Sequence, residues 1–394
     1  MLLTQFFHPD ESAISRMGTD LAEDLVALGF RVTVVAGRGT YLGGERLAAR
    51  EQYKGIDIIR AQGTSLGKRN LTFRLADYIS YSASAFTSVA FAEKPDVILA
   101  MSTPPFVPAI ATAMRVLRGV RFVFWAQDLY PELAVEFGVL QRDSMPTRFL
   151  ERVSAAILRQ ADSVITVGEA MAARLVSKGA LPSRVHVVPN WADPEAIRPV
   201  THADNTFRAT QRLNGKRVVL YSGNMGRSHD IETILAAADT LRERTEVAFV
   251  FVGDGAKARL VAEAAHGNAA IRLVPYQPRH LLSHSLSAGD LHVVTQEEKT
   301  LGLMEPSKLY GVMAAGRPVL YIGPRGSEVA QTILRESLGE VVANGDVQGV
   351  VEAIRRIFQD GTAMGLRGRA ALERHHGRTF RTTQIADQLM AIAG

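Results

Sequence analysis

A chain of 394 residues exceeds what a single hydrophobic core usually serves, so two domains are expected. It carries a net charge of +5 and has no cysteine, which excludes a disulfide framework and a thiolate metal site. Its lysines and arginines form no run of the kind found in nucleic-acid-binding arms, so nucleic acid is not an expected partner. No targeting signature precedes the first apolar run and no stretch is long enough to span a bilayer, so we expect a cytoplasmic location.

The first half of the chain alternates short apolar runs with amphipathic segments. The runs are continuous rather than alternating, which predicts buried strands at residues 2–7, 32–36, 97–101, 122–125 and 164–167. Between the first two, Ile14, Met17, Leu21 and Leu25 repeat at helical spacing, and Gly29 follows as a stop. This alternation is typical of parallel strands connected by covering helices.

The second half repeats this organisation after a polar stretch at residues 193–215. Apolar runs resume at residues 218–222, 247–252, 291–295 and 319–322. We therefore predict an α/β fold of two Rossmann-like doubly wound domains that face each other across a cleft. The predicted domains are residues 1–198 and 199–378, with a C-terminal helix at 379–392 packing back on the first.

The segment from Glu305 to Val319 is the most informative for function. It predicts a helix that begins at Pro306 or Ser307 and stops at Gly316. Free amide groups and the positive dipole at the helix start, together with the Lys308 ammonium, would form a diphosphate site. An ordinary helix with a proline start and a glycine stop is the alternative.

A second candidate phosphate site follows a strand at residues 222–227, with the sequence Ser-Gly-Asn-Met-Gly-Arg. Its glycines permit a close backbone approach, and Arg227 can bind two phosphate oxygens with its guanidinium. The alternative is a tight turn that carries a surface arginine. We favour the functional interpretation because the segment lies between a strand and a helix.

Two candidates lie in the first half of the chain. Asp128 ends a strand, where Gln127 and residues 130–132 add further polar groups, so we predict that it faces the cleft. The alternative role for Asp128 is an N-cap of the next helix. Small side chains at residues 12–15, beginning with Ser12, would let a helix start approach the phosphates or the leaving sugar.

No metal or cofactor is expected. The sequence contains no Gly-x-Ser-x-Gly elbow, His-Glu-x-x-His motif, Walker loop or Asp-x-Asp pair. Helix dipoles, Arg227 and Lys308 would then take the place of a cation at a diphosphate. Residues 67–86 combine basic, aromatic and leucine side chains, which predicts peripheral contact with the inner face of the plasma membrane; a core helix with a basic solvated end is the alternative.

Residues 314–319, Ala-Ala-Gly-Arg-Pro-Val, resemble the donor-site helix of retaining glycosyltransferase family 4, and Pro-Ser-Lys at 306–308 resembles a branch variant of its loop. The resemblance extends over nearly the whole chain, through Phe-His-Pro at 7–9, Pro-Asn-Trp-Ala-Asp at 189–193 and Gly-Asp-Gly at 253–255. With Asp-Leu-Tyr-Pro-Glu at 128–132, it suggests the amino-sugar transferases of O-antigen, capsule and colanic-acid synthesis, including N-acetyl-L-fucosaminyltransferases.

This resemblance implies the GT-B fold and the transfer, with retention, of an N-acetylated amino sugar from a UDP-sugar donor to a lipid-linked or growing polysaccharide acceptor. The family's two donor-site glutamates fall in register on Leu303 and Gly311, so Glu298 and Glu305 are predicted to substitute, with Asp128 as the third catalytic candidate. Solvation or helix N-capping is the alternative for both glutamates. The predicted donor-binding residues are Ser12, Gly223, Asn224, Arg227, Gly253, Gln277, Pro306, Ser307, Lys308 and Leu309.

Two other functions remain open at this point. A non-hydrolysing UDP-sugar epimerase shares the two-domain architecture and the donor site, but it needs no acceptor and exchanges the C2 proton of the sugar with solvent. A non-catalytic partner of an active transferase would bind the sugar nucleotide without turnover, an alternative that Gly311 prompts.

Overall fold

The computed structural model describes residues 1–40, 43, 46–64, 71–105 and 107–394. Within these ranges the chain forms two compact units, the first made of Met1–Pro189 with Arg381–Gly394 and the second of Asn190–Phe380. Each unit is built on its own sheet, in which all strand pairs are parallel except one. The predicted α/β fold of two Rossmann-like doubly wound domains is confirmed.

The strands of unit 1 form a single sheet in the described part of the chain. They are β1 (Leu2–Leu3), β2 (Thr33–Gly37), β3 (Arg50–Tyr53), β4 (Ile56–Ala61), β5 (Val97–Met101), β6 (Arg121–Ala126), β7 (Ser163–Thr166) and β8 (Val185–Val187). Their order in the sheet is β3-β4-β2-β1-β5-β6-β7-β8. The helices between them are α1 (Ala13–Ala27), α2 (Leu71–Ala90), α3 (Val107–Arg118), α4 (Glu132–Glu136), α5 (Met145–Gln160) and α6 (Glu169–Ser177).

The first strand is shorter than predicted. The apolar run 2–7 pairs as a strand only at Leu2 and Leu3. Beyond them the backbone divides its hydrogen bonds between neighbours, because the amide of Thr4 donates to the Val35 carbonyl and that of Gln5 to the Thr103 carbonyl. An apolar run predicts burial rather than strand pairing. Here Thr4 and Phe7 are still buried although the strand ends at Leu3.

Unit 2 contains a sheet of order β11-β10-β9-β12-β13-β14 in the described residues. Its strands are β9 (Arg217–Ser222), β10 (Val247–Val252), β11 (Ile271–Val274), β12 (Leu291–Thr295), β13 (Val319–Ile322) and β14 (Gly339–Val342). Its helices are α7 (Thr206–Thr210), α8 (Glu232–Thr240), α9 (Ala258–Gly267), α10 (Leu282–Ser287), α11 (Lys308–Ala314), α12 (Glu328–Glu336) and α13 (Val347–Ala371).

Strand β10 shows why the runs in this half are continuous. All six of its residues are buried. Phe249 and Phe251 belong to the core that includes Ile354 of α13, whereas Val250 belongs to a second core with Phe207 of α7. Because both faces of the strand are covered, no position requires a polar residue.

The structure divides the chain at Pro189, ahead of the predicted boundary at 198. The linker residues belong to unit 2 because that unit binds their backbone: Arg369 donates to the Ile197 carbonyl at 2.8 Å and Arg317 to the Val200 carbonyl at 3.0 Å. The last helix, α14 (Arg378–Ala393), enters unit 1 at Arg381, where Thr382 donates to a carboxylate oxygen of Asp24 at 2.7 Å.

The segment predicted to contact a membrane is only partly described. Residues 67–70 lie outside the described residues, and the remainder of 67–86 falls in α2. Tyr81 of that helix is buried and its hydroxyl donates to the Thr4 carbonyl at 2.6 Å, so this aromatic belongs to the core. Among the helices of the described ranges, none has the length and apolar character needed to cross a bilayer.

Two glycines of α13 provide a matched test of the packing in unit 2. A Cβ at position 365 would lie 2.2 Å from the Gly316 carbonyl oxygen, whereas a Cβ at position 368 would lie 3.7 Å from its nearest neighbour. We expect Gly365→Ala to lower the free energy of unfolding by about 1–3 kcal/mol through overpacking. Gly368→Ala should be neutral or should stabilise by up to about 1 kcal/mol, because alanine is the better helix former. Urea unfolding of both variants measures the difference, and equal effects would contradict this packing.

Candidate active site

Two glycine turns meet at the carboxyl edge of the unit 2 sheet. Gly223 follows β9 and Gly253 follows β10, and both have positive φ, at 129° and 137°. A Cβ on Gly253 would lie 2.2 Å from the Gly223 carbonyl oxygen, so the contact admits only glycine. The backbones of the two turns therefore pack directly against each other, at the edge where ligands of parallel sheets bind.

Lys308, the first residue of α11, lies beside these turns. A Cβ on Gly223 would lie 2.7 Å from its Cε, so the lysine side chain passes over the glycine. Its Nζ donates to Nε2 of His229 at 2.8 Å and lies 5.2 Å from the ring centroid of Tyr221. The structure thus brings together two residues that the sequence predicted separately, Gly223 and Lys308.

The hydrogen bonds of His229 define its protonation state. Its Nδ1 lies 2.7 Å from the Thr295 carbonyl oxygen, which can only accept, so Nδ1 carries the hydrogen. Burial of the ring, followed by the charge of Lys308, holds the pKa of His229 well below its ordinary value. The ring is therefore neutral, and Nε2 is free to accept a hydrogen bond from the lysine ammonium.

The Lys308 ammonium has no negatively charged partner among the described residues. Burial lowers its pKa to about 7, from an ordinary value of 10.5. Within the described residues no carboxylate pairs with it, and His229 accepts only one of its three N–H donors. An anion placed at this edge would gain the remaining donors and would raise the lysine pKa in return.

A second lysine at this edge is already neutralised. Lys257 donates to the His229 carbonyl at 2.7 Å and to carboxylate oxygens of Glu232 at 2.7 Å and Glu297 at 2.8 Å. It therefore ties the loop after β9 to the loop after β12. Its role is to hold the backbone of His229 in place, so that the imidazole points at Lys308.

Gln296, which directly follows β12, shapes the approach to α11. Its side chain is fully buried, and its Nε2 donates to the carbonyls of Thr300 at 3.2 Å and Met304 at 3.0 Å. Its Oε1 accepts from the Tyr321 hydroxyl at 2.8 Å. These bonds fix the loop that leads to Lys308, and the start of the helix is positioned with it.

His229, Lys257 and Gln296 were not predicted as site residues. Each is one polar residue in a loop or at a helix start. The available signal was that Gln296 comes directly after a fully buried strand, where a parallel sheet places its ligands. Their contacts with residues distant in sequence were not visible from local patterns.

Three of the predicted donor residues lie in loops at the same edge. Arg227 is exposed in the loop after β9. Asn224 is also exposed, and its carbonyl accepts from the Tyr221 hydroxyl at 2.8 Å. Gln277 follows β11, and Nε2 of its side chain donates to the Pro275 carbonyl at 2.9 Å. For these three, donor binding stays a prediction.

The start of α11 lies one or two residues later than predicted. Lys308 is its first residue and Ser307 occupies the N-cap position without capping through its side chain. Pro306 is buried just before it. Leu309 has a fully buried side chain in the core of unit 2, so only its backbone could face a donor.

The two glutamates that were predicted as catalytic differ in their surroundings. Glu305 is buried, and one carboxyl oxygen accepts from the Glu328 amide at 3.3 Å, at the first turn of α12. Burial raises the pKa of Glu305 to about 8, so its carboxyl is protonated at neutral pH. Its contact is thus with a helix start, the alternative considered for it, whereas Glu298 is exposed in the loop after β12.

The candidates of unit 1 lie at the starts of α1 and α4. Ser12 caps α1, where its hydroxyl accepts from the Ser15 amide at 3.4 Å. Asp128 follows β6, and its amide donates to Oγ of Ser102 at 3.0 Å. Pro131 occupies the N-cap position of α4 and no side chain caps that helix, so Asp128 does not serve as its cap. Burial raises the pKa of the Asp128 carboxyl from 3.8 to about 6.

No cluster of three or more histidine, aspartate or glutamate side chains arranged to hold a metal ion occurs in the ranges that the structure describes. The candidate groups are a lysine with a neutral histidine at the glycine turns of unit 2 and a desolvated carboxyl in unit 1.

Comparison with known proteins identifies the class. A glycosyl transferase 4-like domain matches residues 13–191, and the domain of glycosyl transferases group 1 matches residues 216–360. The "Probable glycosyltransferase WbjE" of Pseudomonas aeruginosa is 31% identical over 298 residues, which cover 75% of this chain and 74% of that protein. The "Putative colanic acid biosynthesis glycosyl transferase WcaI" of Escherichia coli is 26% identical over 342 residues, covering 82% and 83%.

Among solved structures, Anabaena HepE in complex with UDP-glucose is similar with a TM-score of 0.74 at 14% identity, covering 99% of this chain and 98% of HepE. This similarity and the two parallel-sheet units show the GT-B fold. The chain belongs to the glycosyltransferase family that joins a glycosyl transferase 4-like domain to a group 1 domain. The family predicted from the sequence is confirmed at this level.

Asp128 can be tested by removing its charge while keeping its shape. We expect Asp128→Asn to lower kcat by about tenfold to a hundredfold, with little change in UDP affinity, if the carboxylate acts in the transition state. Folding raises the pKa of the Asp128 carboxyl to about 6. The free energy of unfolding therefore falls as the pH rises through that value, because the folded protein then carries a buried charge. The variant should therefore be at least as stable as the parent at neutral pH. Parental turnover in a folded Asp128→Asn protein would leave Asp128 a structural residue.

Proposed function

We propose that the chain transfers an N-acetylated amino sugar from a UDP-sugar to a lipid-linked or growing polysaccharide acceptor, with retention at the anomeric carbon. The reaction would take place in the cytoplasm, at the inner face of the plasma membrane. The observation that carries the proposal is the Lys308 ammonium, which passes over Gly223 with neutral His229 as acceptor and no carboxylate partner in the described residues. The diphosphate of a sugar nucleotide supplies the negative charge that this arrangement lacks.

The relatives support the choice of donor and acceptor. WcaI is named for colanic acid biosynthesis, and colanic acid is a polysaccharide. HepE was crystallised in complex with UDP-glucose, and it has the same fold. The complex of HepE with UDP-glucose supports the choice of a UDP-sugar donor, and the name of WcaI supports the choice of a glycan acceptor. The charge of Lys308 agrees with a diphosphate donor.

In the proposed reaction, an acceptor oxygen forms the new bond to the anomeric carbon as the bond to the diphosphate oxygen breaks. The electron pair of the broken bond goes to the diphosphate, which takes the acceptor's proton on the same face. Lys308 stabilises the negative charge that develops there. Asp128 is proposed to contact the sugar or the acceptor. Proton NMR of the product reports the anomeric configuration, and an inverted product would contradict retention.

We propose further that the step needs no divalent cation. Lys308 supplies positive charge beside Gly223, and Arg227 in the loop after β9 supplies a second charge. Release of UDP from the donor should therefore continue unchanged in EDTA. Release that stops in EDTA and returns with Mg²⁺ or Mn²⁺ would show that a metal ion is required.

Lys308 should determine both the strength and the pH dependence of donor binding. Only the protonated lysine binds the diphosphate, and its pKa in the free protein is about 7. The affinity of the parent for UDP-glucose, whose diphosphate does not titrate near neutrality, should fall by up to about tenfold per pH unit above that value. Lys308→Ala should bind about ten- to a hundredfold more weakly and without this pH dependence. Isothermal titration calorimetry across the pH range measures both.

Lys216→Ala is the matched control, since Lys216 precedes β9 and its ammonium donates to the Thr245 carbonyl at the opposite edge of the same sheet. It should bind like the parent at every pH. Unchanged affinity in Lys308→Ala, or a pH dependence that survives in it, would overturn the diphosphate assignment.

Two results would indicate a different function that uses the same donor site. Incorporation of solvent deuterium at C2 of the bound sugar, without an acceptor, would identify an epimerase. Donor binding without turnover toward any acceptor would identify a non-catalytic partner.

A further inference from the structure

Helix α5 presents an unusual outward face in unit 1. Its first turn is fixed, because Ser144 caps the Thr147 amide at 3.4 Å and the Thr147 hydroxyl donates to the Gln141 carbonyl at 2.8 Å. Directly beside this turn, Met145 is 79% exposed and Phe149 is 64% exposed. Two large apolar side chains are thus exposed to solvent on a helix start whose first turn is held by hydrogen bonds.

Helical spacing brings two arginines onto the same face. Arg148 and Arg152 are exposed, and with Met145 and Phe149 they occupy positions i, i+3, i+4 and i+7. We call these four residues the α5 stripe. The buried residues of the helix lie on the other side: Thr147, Ile157 and Leu158.

The two arginines of the stripe have no acidic partner in the described part of the chain. Neither Arg148 nor Arg152 forms a salt bridge with another residue in the part of the chain that the structure describes, whereas nearby Arg142 pairs with Glu136 at 2.8 Å. The acidic neighbour Glu151 lies about 60° around the helix axis from Arg148, on the flank of the stripe. The stripe therefore combines net positive charge with exposed apolar side chains.

These two properties suit an anionic lipid surface. The guanidinium groups would reach the phosphates of the headgroups, and Met145 and Phe149 would enter the apolar region below them. Each arginine near an anionic leaflet contributes attraction that falls off within a Debye length. An acidic protein would match the charges but offers no apolar layer for both side chains.

The stripe also lies at the functional edge of its sheet. Strand β6 ends just before Asp128, and α5 must return from that carboxyl edge to the start of β7 at the amino edge. The first turns of α5 are therefore at the same edge as Asp128. A surface that binds the stripe would bring a lipid-linked acceptor to the edge where Asp128 lies.

We propose that the α5 stripe is the docking surface of this glycosyltransferase for an anionic bilayer. The benefit to catalysis rests on the proposed lipid-linked acceptor, but docking itself requires neither donor nor acceptor. Its failure can thus be separated from failure of the proposed function, because binding of UDP-glucose is measured in the same variants.

The test is sedimentation of the full chain with vesicles of phosphatidylcholine and phosphatidylglycerol. The parent should sediment with them, less in high salt and much less with phosphatidylcholine alone. Met145→Ser/Phe149→Ser should weaken binding by about tenfold or more. Arg148→Gln/Arg152→Gln should weaken it by about fivefold for each arginine removed.

Val116→Ser/Leu117→Ser is the matched control. These residues are 71% and 68% exposed near the end of α3, which precedes β6 and so lies at the amino edge of the same sheet. The control should sediment like the parent, and all variants should bind UDP-glucose and unfold like the parent. A parent that does not bind anionic vesicles, or a control that loses as much binding as the stripe variants, would overturn the proposal. So would stripe variants that bind vesicles fully but change a dimer into a monomer, since a second copy would then cover the stripe.

Discussion

The hydrogen bond from Lys308 to His229 depends on the histidine staying neutral. A protonated imidazole has no acceptor to offer, so the bond requires the Thr295 carbonyl to hold the hydrogen on Nδ1. It also requires space for the lysine side chain, which Gly223 leaves open. The neutral ring thus links the end of β12 to the start of α11, and the charge of Lys308 lies at the edge where a parallel sheet binds ligands.

The candidate sites of the two units lower the stability of the fold. Burial moves the pKa of Lys308 to about 7, of Asp128 to about 6 and of Glu305 to about 8, each toward the neutral form. Groups shifted in this way are characteristic of sites that must bind or develop charge. The strands behind them are apolar on both faces, as in β10, and such a core can tolerate desolvated polar groups at its edge.

The sequence predicted the features that have a local cause. The bounds of β10 and β12 follow from continuous apolar runs, and the turn at Gly223 and the charge of Lys308 follow from their position after a strand and at a helix start. The partner of Lys308 is 79 residues away, and no local pattern connects the two. Glu305 illustrates the same limit, because its sequence neighbours do not show that its carboxyl would face the first turn of α12.

The return of α14 to unit 1 has a consequence for how the chain is made. The bond between Thr382 and Asp24 joins residues that are 358 positions apart, and the whole of unit 2 is encoded between them. Unit 2 is continuous and can fold as it leaves the ribosome, whereas unit 1 lacks α14 until the whole of unit 2 has been made. Contacts between residues so far apart in sequence form slowly, so the newly made first unit exposes the apolar surface that α14 later covers.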